Sequence, residues 1–156
     1  MSEPAEELSP ELKKALADIH EHGVHIAHVE GGPGEPCYSY TVGLWHSFEH
    51  PEVIVFGLED VVARELLDAL TDELDEGKTF VAGGRYEGLL VGYPVRMLTV
   101  PAAQTARWFE LGAAAYGDGF PALQMVWPDK EKRWPWDEGA REAFVKSQPL
   151  LGPLPQ

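Results

Sequence analysis

The stretch Pro51-Glu52-Val53-Ile54-Val55-Phe56-Gly57-Leu58 decides the fold of this chain. Its four consecutive apolar residues, Val53 to Phe56, predict a β-strand with both faces covered, because a strand with one face in water alternates apolar and polar side chains. We therefore expect this segment to be the central strand of a sheet, with other elements packed on both sides of it.

Two long helices are predicted, one before and one after this strand in the sequence. Ser9 can cap the first helix with its hydroxyl, and Gly23 ends it. The second helix covers residues 60–75, where apolar side chains recur every three or four positions until Gly77. Each helix therefore has one apolar face that can pack against the sheet.

The remaining segments favour short strands and two further helices. Pro101 opens a helix whose inner face has mostly small residues, and a shorter helix is expected near residues 138–145. Alternating or apolar runs bounded by glycine and proline predict the strands. Together with the central strand at 51–58, the strands cover residues 24–29, 38–44, 79–81, 88–91, 95–100 and 123–127.

The order of these elements indicates the fold class. It lacks the regular alternation of strand and helix that a doubly wound parallel sheet requires. We therefore predict a single α+β domain with a mainly antiparallel sheet, either open or curled into a small barrel, and about three packed helices. Residues 1–8 are expected to be a flexible N-terminus, residues 9–147 the domain, and residues 148–156 a Pro-rich tail.

Composition and charge exclude several functional classes. The chain has 156 residues, one cysteine (Cys37) and a net charge of −14 at pH 7. A single cysteine cannot form an internal disulfide, and no secretory leader pattern is found, so a cytoplasmic protein is expected. Every apolar run is shorter than the about 20 residues that span a bilayer, and the negative charge repels nucleic-acid phosphates. We expect neither a membrane partner nor direct binding to nucleic acid.

Much of the acidity falls on the second predicted helix. Its acidic side chains have one basic residue among them, Arg64. This pattern is typical of a solvated helix face, and it leaves open an alternative function in which the protein sequesters a basic partner. The acidic residues are Asp60, Glu65, Asp68, Asp72, Glu73, Asp75 and Glu76.

Two strings rich in aromatic and polar residues are the best indications of a site. The first aromatic segment is residues 38–46, and the second aromatic segment is residues 124–136. Both extend beyond predicted strand ends, where scaffolds usually display binding residues. Their tryptophans are interpreted in two ways, either as a hydrophobic cluster that closes one end of the sheet or as the wall of a cleft. We expect both segments to converge on one cavity. The predicted ligand-binding residues are Tyr40, Thr41, Trp45, His46, Gln124, Trp127, Asp129, Trp134 and Trp136.

Histidines suggest a metal site as a weaker hypothesis. The candidates are His20, His22, His25 and His28, with His46 or His50 as additional ligands, because neutral imidazoles bind zinc, copper, nickel and iron. Their spacing opposes this hypothesis. The first two lie near a helix end and point to different sides, and the last two lie on opposite faces of a strand.

Known enzyme motifs fit this sequence poorly. Trp127-Pro128-Asp129 is similar to the acid loop of tyrosine phosphatases, but Cys37 has Gly43 six positions later where those enzymes need arginine. Asp129 is interpreted either as a turn-capping residue or as a proton donor. No serine lies in a Gly-x-Ser-x-Gly turn, and Cys37 is interpreted as a small buried side chain. The coarse element order is also similar to that of flavin-binding split barrels, which keeps a flavin-dependent enzyme as an alternative.

The spacing of the two aromatic segments resembles a family of small bacterial proteins classified as domain of unknown function 4262. The resemblance covers roughly residues 20–138 and implies a bacterial cytosolic protein, with no established activity. It is carried by Tyr40-Thr41-Val42-Gly43-Leu44, Pro51-Glu52, Phe56-Gly57, Gly77, Gln124, Trp127-Pro128-Asp129 and Pro135-Trp136.

The function that the residues favour is a binding module with an aromatic-lined cleft for a small molecule or a protein segment. Aromatic and uncharged polar groups are concentrated in two segments, and no nucleophile motif or metal motif accompanies them. A metal- or flavin-dependent enzyme that uses the same cleft is the alternative. The sequence assigns no cofactor.

Overall fold

The computed structural model describes residues 9–117 and 119–154. The flexible N-terminus expected over residues 1–8 lies outside the described residues. The described strands are β1 (His25–Val29), β2 (Tyr38–Val42), β3 (Glu52–Phe56), β4 (Arg85–Leu90), β5 (Tyr93–Thr99) and β6 (Ala122–Val126). The described helices are α1 (Pro10–His22), α2 (Leu44–Phe48), α3 (Asp60–Asp75), α4 (Ala102–Trp108), α5 (Glu110–Tyr116) and α6 (Glu142–Ser147).

One open sheet contains these strands in the order β1-β2-β3-β6-β5-β4. Four neighbouring pairs are antiparallel, and the central pair of β3 and β6 is parallel. The predicted α+β class and single domain are therefore confirmed. The sheet is mixed, however, and it does not close into a barrel, because β1 and β4 remain at its two edges.

The described residues form six helices instead of the about three that the sequence predicts. One predicted helix is divided into two, and a further helix forms in a segment for which no helix is predicted. The third predicted helix separates into α4 and α5 at Phe109, where the backbone leaves the helical region (φ −116°, ψ 63°) and the ring is fully buried. Residues 44–48 form α2. Within the described chain, residues 79–81 form no strand, and Phe80 N donates instead to His50 Nε2 at 3.1 Å. None of the described helices is both long enough and apolar enough to cross a bilayer.

β3 is the central strand that its apolar run predicts. All five of its residues are buried. Val53 and Val55 pack on one face of the sheet in a cluster with the leucines of α3, whereas Ile54 and Phe56 pack on the other face in a cluster with residues of α4 and α5. Helices therefore cover the central strand on both faces, which explains why its side chains do not alternate between apolar and polar.

Two buried glutamines hold the later part of the chain against the sheet. Gln124 on β6 donates through Nε2 to the Pro149 carbonyl at 2.8 Å and accepts from Leu151 N at 3.0 Å. Gln148 donates through Nε2 to the Trp127 carbonyl at 2.7 Å and accepts from Trp127 N at 3.1 Å. Each side-chain amide supplies a donor and an acceptor, as a neighbouring strand would. The first residues of the Pro-rich segment are thereby bound to the sheet.

Replacing Gln124 with methionine keeps the volume of the side chain and removes both of its hydrogen bonds. We expect the free energy of unfolding to fall by about 2–3 kcal/mol, because the Pro149 carbonyl and the Leu151 N–H would lose their partners. Urea denaturation followed by circular dichroism measures the change. Gln104→Met is the control, since Gln104 accepts one local bond from Trp108. An equal loss in the two variants would contradict the anchoring role of Gln124.

Candidate functional site

The two aromatic segments lie largely at opposite ends of the sheet. Trp45 and His46 lie on α2, shortly before β3 begins, whereas Trp127 and Asp129 follow the end of β6. Because β3 and β6 are parallel, the five residues of β6 separate the two groups by about 16 Å. The main cavities among the described residues do not contain members of both groups. The expectation of one shared cavity is therefore corrected, because the strand order keeps the two groups apart.

Glu52, the first residue of β3, organises the first aromatic segment. Its side chain is fully buried. Its Oε1 accepts from the Thr41 hydroxyl at 2.7 Å and from Leu44 N at 3.2 Å. Its Oε2 accepts from Gly43 N at 2.9 Å and from Trp45 N at 3.1 Å. The carboxylate therefore binds the end of β2 and the first turn of α2.

Tyr116 at the end of α5 completes this anchor. Its hydroxyl donates to Glu52 Oε2 at 2.8 Å and accepts from His46 N at 3.4 Å, so the carboxylate receives five hydrogen bonds. Burial raises the pKa of the Glu52 carboxyl, and the bonds from Thr41, Trp45 and Tyr116 oppose that shift. Burial and the adjacent carboxyl raise the pKa of Tyr116, which keeps its hydroxyl protonated as a donor.

Sequence reasoning missed both Glu52 and Tyr116 as organising residues. The only local signal for Glu52 is a charged residue placed directly before a continuous apolar strand. Such a residue must be paired or solvated, because a buried charge without donors is costly. Nothing near Tyr116 in the sequence indicates its contact with Glu52, which is 64 positions away.

Gly43 allows the sharp turn from β2 into α2. Its φ is 121°, a left-handed conformation that side chains rarely adopt. A Cβ at this position would lie 2.7 Å from the Gly23 carbonyl oxygen and 2.9 Å from the Ile19 side chain. The turn leaves Trp45 and His46 on the surface, with Trp45 39% exposed. These two residues are the exposed part of the first aromatic segment.

Asp129 caps a loop in the second aromatic segment. Its Oδ1 accepts from Glu131 N at 2.9 Å and from Arg133 N at 2.8 Å, and its Oδ2 accepts from Arg133 Nε at 2.9 Å. Partial burial acts to raise the pKa of Asp129, but the bonds from Arg133 and Glu131 and the Arg133 charge lower it overall. The carboxylate is thus occupied and ionised, which favours the turn-capping interpretation over a proton donor.

The tryptophans of the second aromatic segment lie in two different environments. Trp127 donates from its indole Nε1 to the Phe56 carbonyl at 2.8 Å, which closes the end of β3 and β6. Trp134 and Trp136 stack in parallel, with ring centroids 5.6 Å apart and planes 5° apart. The Arg96 guanidinium lies 5.9 Å from the Trp134 ring centroid. The half-buried pair is therefore held by stacking and a cation–π contact.

A cavity of about 550 Å³, here named the β1 groove, opens along β1. All five residues of β1 line it, although successive side chains of a strand point to opposite faces. The groove therefore follows the whole length of β1, with residues of α1 and α5 on its other side. β1 pairs with β2 alone, so the outer edge of β1 has no strand partner among the described residues. The groove is lined by Ser9, Glu11, Lys14, His25, Ile26, Ala27, His28, Val29, Tyr40, Glu110 and Leu111.

Tyr40 is the member of the predicted site that reaches the β1 groove. It is 2% exposed, and its ring packs edge-on against Phe109 with centroids 5.4 Å apart. Leu111 N donates to its hydroxyl oxygen at 3.0 Å. Burial raises the pKa of Tyr40 to about 12, so the hydroxyl stays protonated. Tyr40 therefore forms a buried part of the wall of the β1 groove.

The four candidate metal-binding histidines do not lie close together around one point. His20 and His22 are exposed on α1. His25 Nδ1 lies 2.6 Å from Asp18 Oδ2, and this bond lowers the pKa of Asp18. His28 lies on the other face of β1. Across residues 9–117 and 119–154, no three His, Cys, Asp or Glu side chains are arranged to hold a metal ion.

One hydrogen-bonded row has the residue types of a hydrolase triad. His28 Nδ1 lies 2.7 Å from Ser39 Oγ, and His28 Nε2 lies 3.1 Å from Glu30 Oε2. Ser39 is fully buried, so its hydroxyl cannot meet a substrate, and the row instead joins β1 to β2. Cys37 is also a poor nucleophile, because burial raises the pKa of its thiol, which donates to the Leu58 carbonyl.

Replacing Glu52 with glutamine converts one accepting oxygen into a donating NH₂ group. Because Oε1 accepts two of the five hydrogen bonds and Oε2 accepts three, at least two donors lose their acceptor in either amide orientation. We expect the free energy of unfolding to fall by about 3 kcal/mol or more, as measured by urea denaturation. Glu49→Gln, at an exposed position after α2, is the control. A similar stability in both variants would refute the anchor.

Comparison with known proteins assigns the chain to a family. No curated protein and no solved structure matches it. Residues 18–141 match the sequence profile of a family described as a domain of unknown function. The matched region includes β1, the Glu52 anchor and both aromatic segments, and it confirms the resemblance found in the sequence. Because the match spans well over half of its residues, the chain belongs to the DUF4262 family.

Proposed function

We propose that this protein is a binding module that receives an extended segment of a partner protein along the edge of β1. The observation that carries the proposal is the β1 groove, an open cavity of about 550 Å³ lined by every residue from His25 to Val29. A segment laid along this edge gains main-chain hydrogen bonds with the unpaired N–H and C=O groups of the strand. Strand addition of this kind is a common mode of peptide recognition.

The two edges of the sheet differ in a way that supports this choice. β4, at the far edge, has an interrupted register at Gly88 and carries the charged, exposed residues Arg85 and Glu87. Bulges and charges of this kind discourage pairing with another strand. β1 pairs with β2 in a continuous register over five residues and contains no proline, lysine or arginine. β1 is therefore the edge that is suited to pairing.

The lining of the β1 groove favours a neutral or basic segment. Glu11 and Glu110 are exposed at its rim, whereas the charge of Lys14 is compensated by Asp18 at 3.3 Å. The net charge of −14 adds to this preference, because complementary charge speeds association.

A small molecule is the second candidate occupant. The volume of the β1 groove falls within the about 300–1,000 Å³ that is typical of small-molecule sites. The continuous strand edge favours the protein segment over this alternative. We infer a bacterial cytoplasm as the setting, on the strength of the single cysteine and the family to which the chain belongs.

The probes for strand addition are peptides that bind the full chain. They are selected from a random display library. We expect the selected peptides to slow hydrogen exchange at the β1 amides that point away from β2, because pairing gives these N–H groups an acceptor. Exchange on β4 should not change. Hydrogen exchange followed by NMR measures both edges in one experiment.

A pair of tryptophan variants tests the location. Glu110→Trp places a large ring at the rim of the β1 groove and should weaken binding of the selected peptides about tenfold or more. Glu65→Trp adds the same ring at an exposed position of α3 and should leave binding unchanged. Equal binding by the two variants, or protection of amides away from β1, would overturn the proposal. Protection of β1 by a small metabolite alone would favour the second candidate.

A further inference from the structure

We propose a second binding site, for a small organic anion, beside the second aromatic segment. A cavity of about 270 Å³, here named the basic pocket, is lined by Asp129, Lys130, Glu131, Arg133, Arg141 and Phe144. It shares no lining residue with the β1 groove. The proposal is therefore independent of strand addition on β1.

The charges of the basic pocket are unevenly compensated. Arg133 donates through Nε to Asp129 Oδ2 at 2.9 Å and through Nη2 to Glu131. Both carboxylates that line the pocket are therefore paired with the Arg133 guanidinium. Lys130 and Arg141 have no carboxylate within ion-pair distance in the part of the chain that the structure describes. Two cations therefore remain for a ligand, in a chain with 26 acidic and 12 basic residues.

The walls of the basic pocket are held in place. Asp129 Oδ1 accepts from Glu131 N and Arg133 N, which sets the shape of the loop that carries Lys130. On the opposite wall, the Phe144 ring of α6 packs edge-on against Trp127, with centroids 5.3 Å apart and planes at 69°. The loop and the Phe144 wall are therefore fixed before a ligand enters, and the exposed side chains of Lys130 and Arg141 become ordered when it binds.

The chemistry of the lining specifies the ligand class. Lys130 and Arg141 can donate charge-assisted hydrogen bonds to a carboxylate or phosphate group, and such bonds are stronger than neutral ones. The Phe144 ring and the aliphatic parts of the basic side chains provide an apolar surface for a planar body. A small aromatic carboxylate or aryl phosphate combines both features. The volume of about 270 Å³ lies just below the about 300–1,000 Å³ that is typical of small-molecule sites, so it limits the ligand to a molecule of one ring.

Phenyl phosphate and benzoate are the probes, with benzyl alcohol as a neutral analogue. We expect at least one anion to bind saturably, with a dissociation constant of about 5 mM or less, and to shift the NMR signals of the residue 129–133 amides and the Trp127 indole N–H. Benzyl alcohol should bind at least about fivefold more weakly, and added NaCl should weaken binding of the anion. The preferred anion distinguishes a carboxylate ligand from a phosphate ligand.

Variants of the two unpaired cations test their role. Lys130→Gln combined with Arg141→Gln should weaken binding of the anion about fivefold or more, and the exposed positions of both residues leave the fold intact. Lys146→Gln is the matched control, since Lys146 on α6 is paired with Glu142 at 2.9 Å. Absence of saturation up to about 20 mM, unchanged binding by the double variant, or equal binding of benzyl alcohol would each overturn the proposal.

Discussion

The Glu52 carboxylate lies where β2, α2, β3 and α5 meet, and the relative positions of these elements depend on its hydrogen bonds. A buried carboxylate is costly unless donors replace the water that it loses. Here Thr41, Tyr116 and three backbone N–H groups replace that water. The same arrangement explains the sequence of the first aromatic segment. A hydroxyl must stand at position 41, and only glycine fits the left-handed turn at position 43.

The elements that sequence reasoning located correctly are those with local signals. The N-cap of α1 forms as expected, with Leu12 N donating to the Ser9 hydroxyl at 3.1 Å, and Gly23 ends the helix in a left-handed conformation. The apolar run of β3 and the periodicity of α3 also specify their own burial. The parallel pairing of β3 with β6 and the break at Phe109 depend on contacts between distant parts of the chain. No pattern within a short window records such contacts.

The candidate site was harder to predict, because the same side chains can satisfy either a ligand or the backbone. Thr41, Gln124 and Asp129 have the polar groups expected of binding residues, yet each forms hydrogen bonds within the chain. Tyr40 alone among the predicted residues lines the β1 groove. That groove exists because β1 is an edge strand, and strand order is a property of the whole sheet. The basic pocket likewise depends on α6 bringing Arg141 and Phe144 to the loop that follows β6.

The position of β6 dictates when the sheet can be completed as the chain leaves the ribosome. β1, β2 and β3 pair with their neighbours in sequence, and so do β4 and β5. β6 begins at Ala122, far beyond the end of β3 at Phe56, and must insert between β3 and β5. Closing so long a connection is slow, and until then an apolar edge of β3 is unpaired. Nascent chains are therefore exposed to aggregation at this strand until β6 is synthesised, which makes chaperone assistance during translation an advantage.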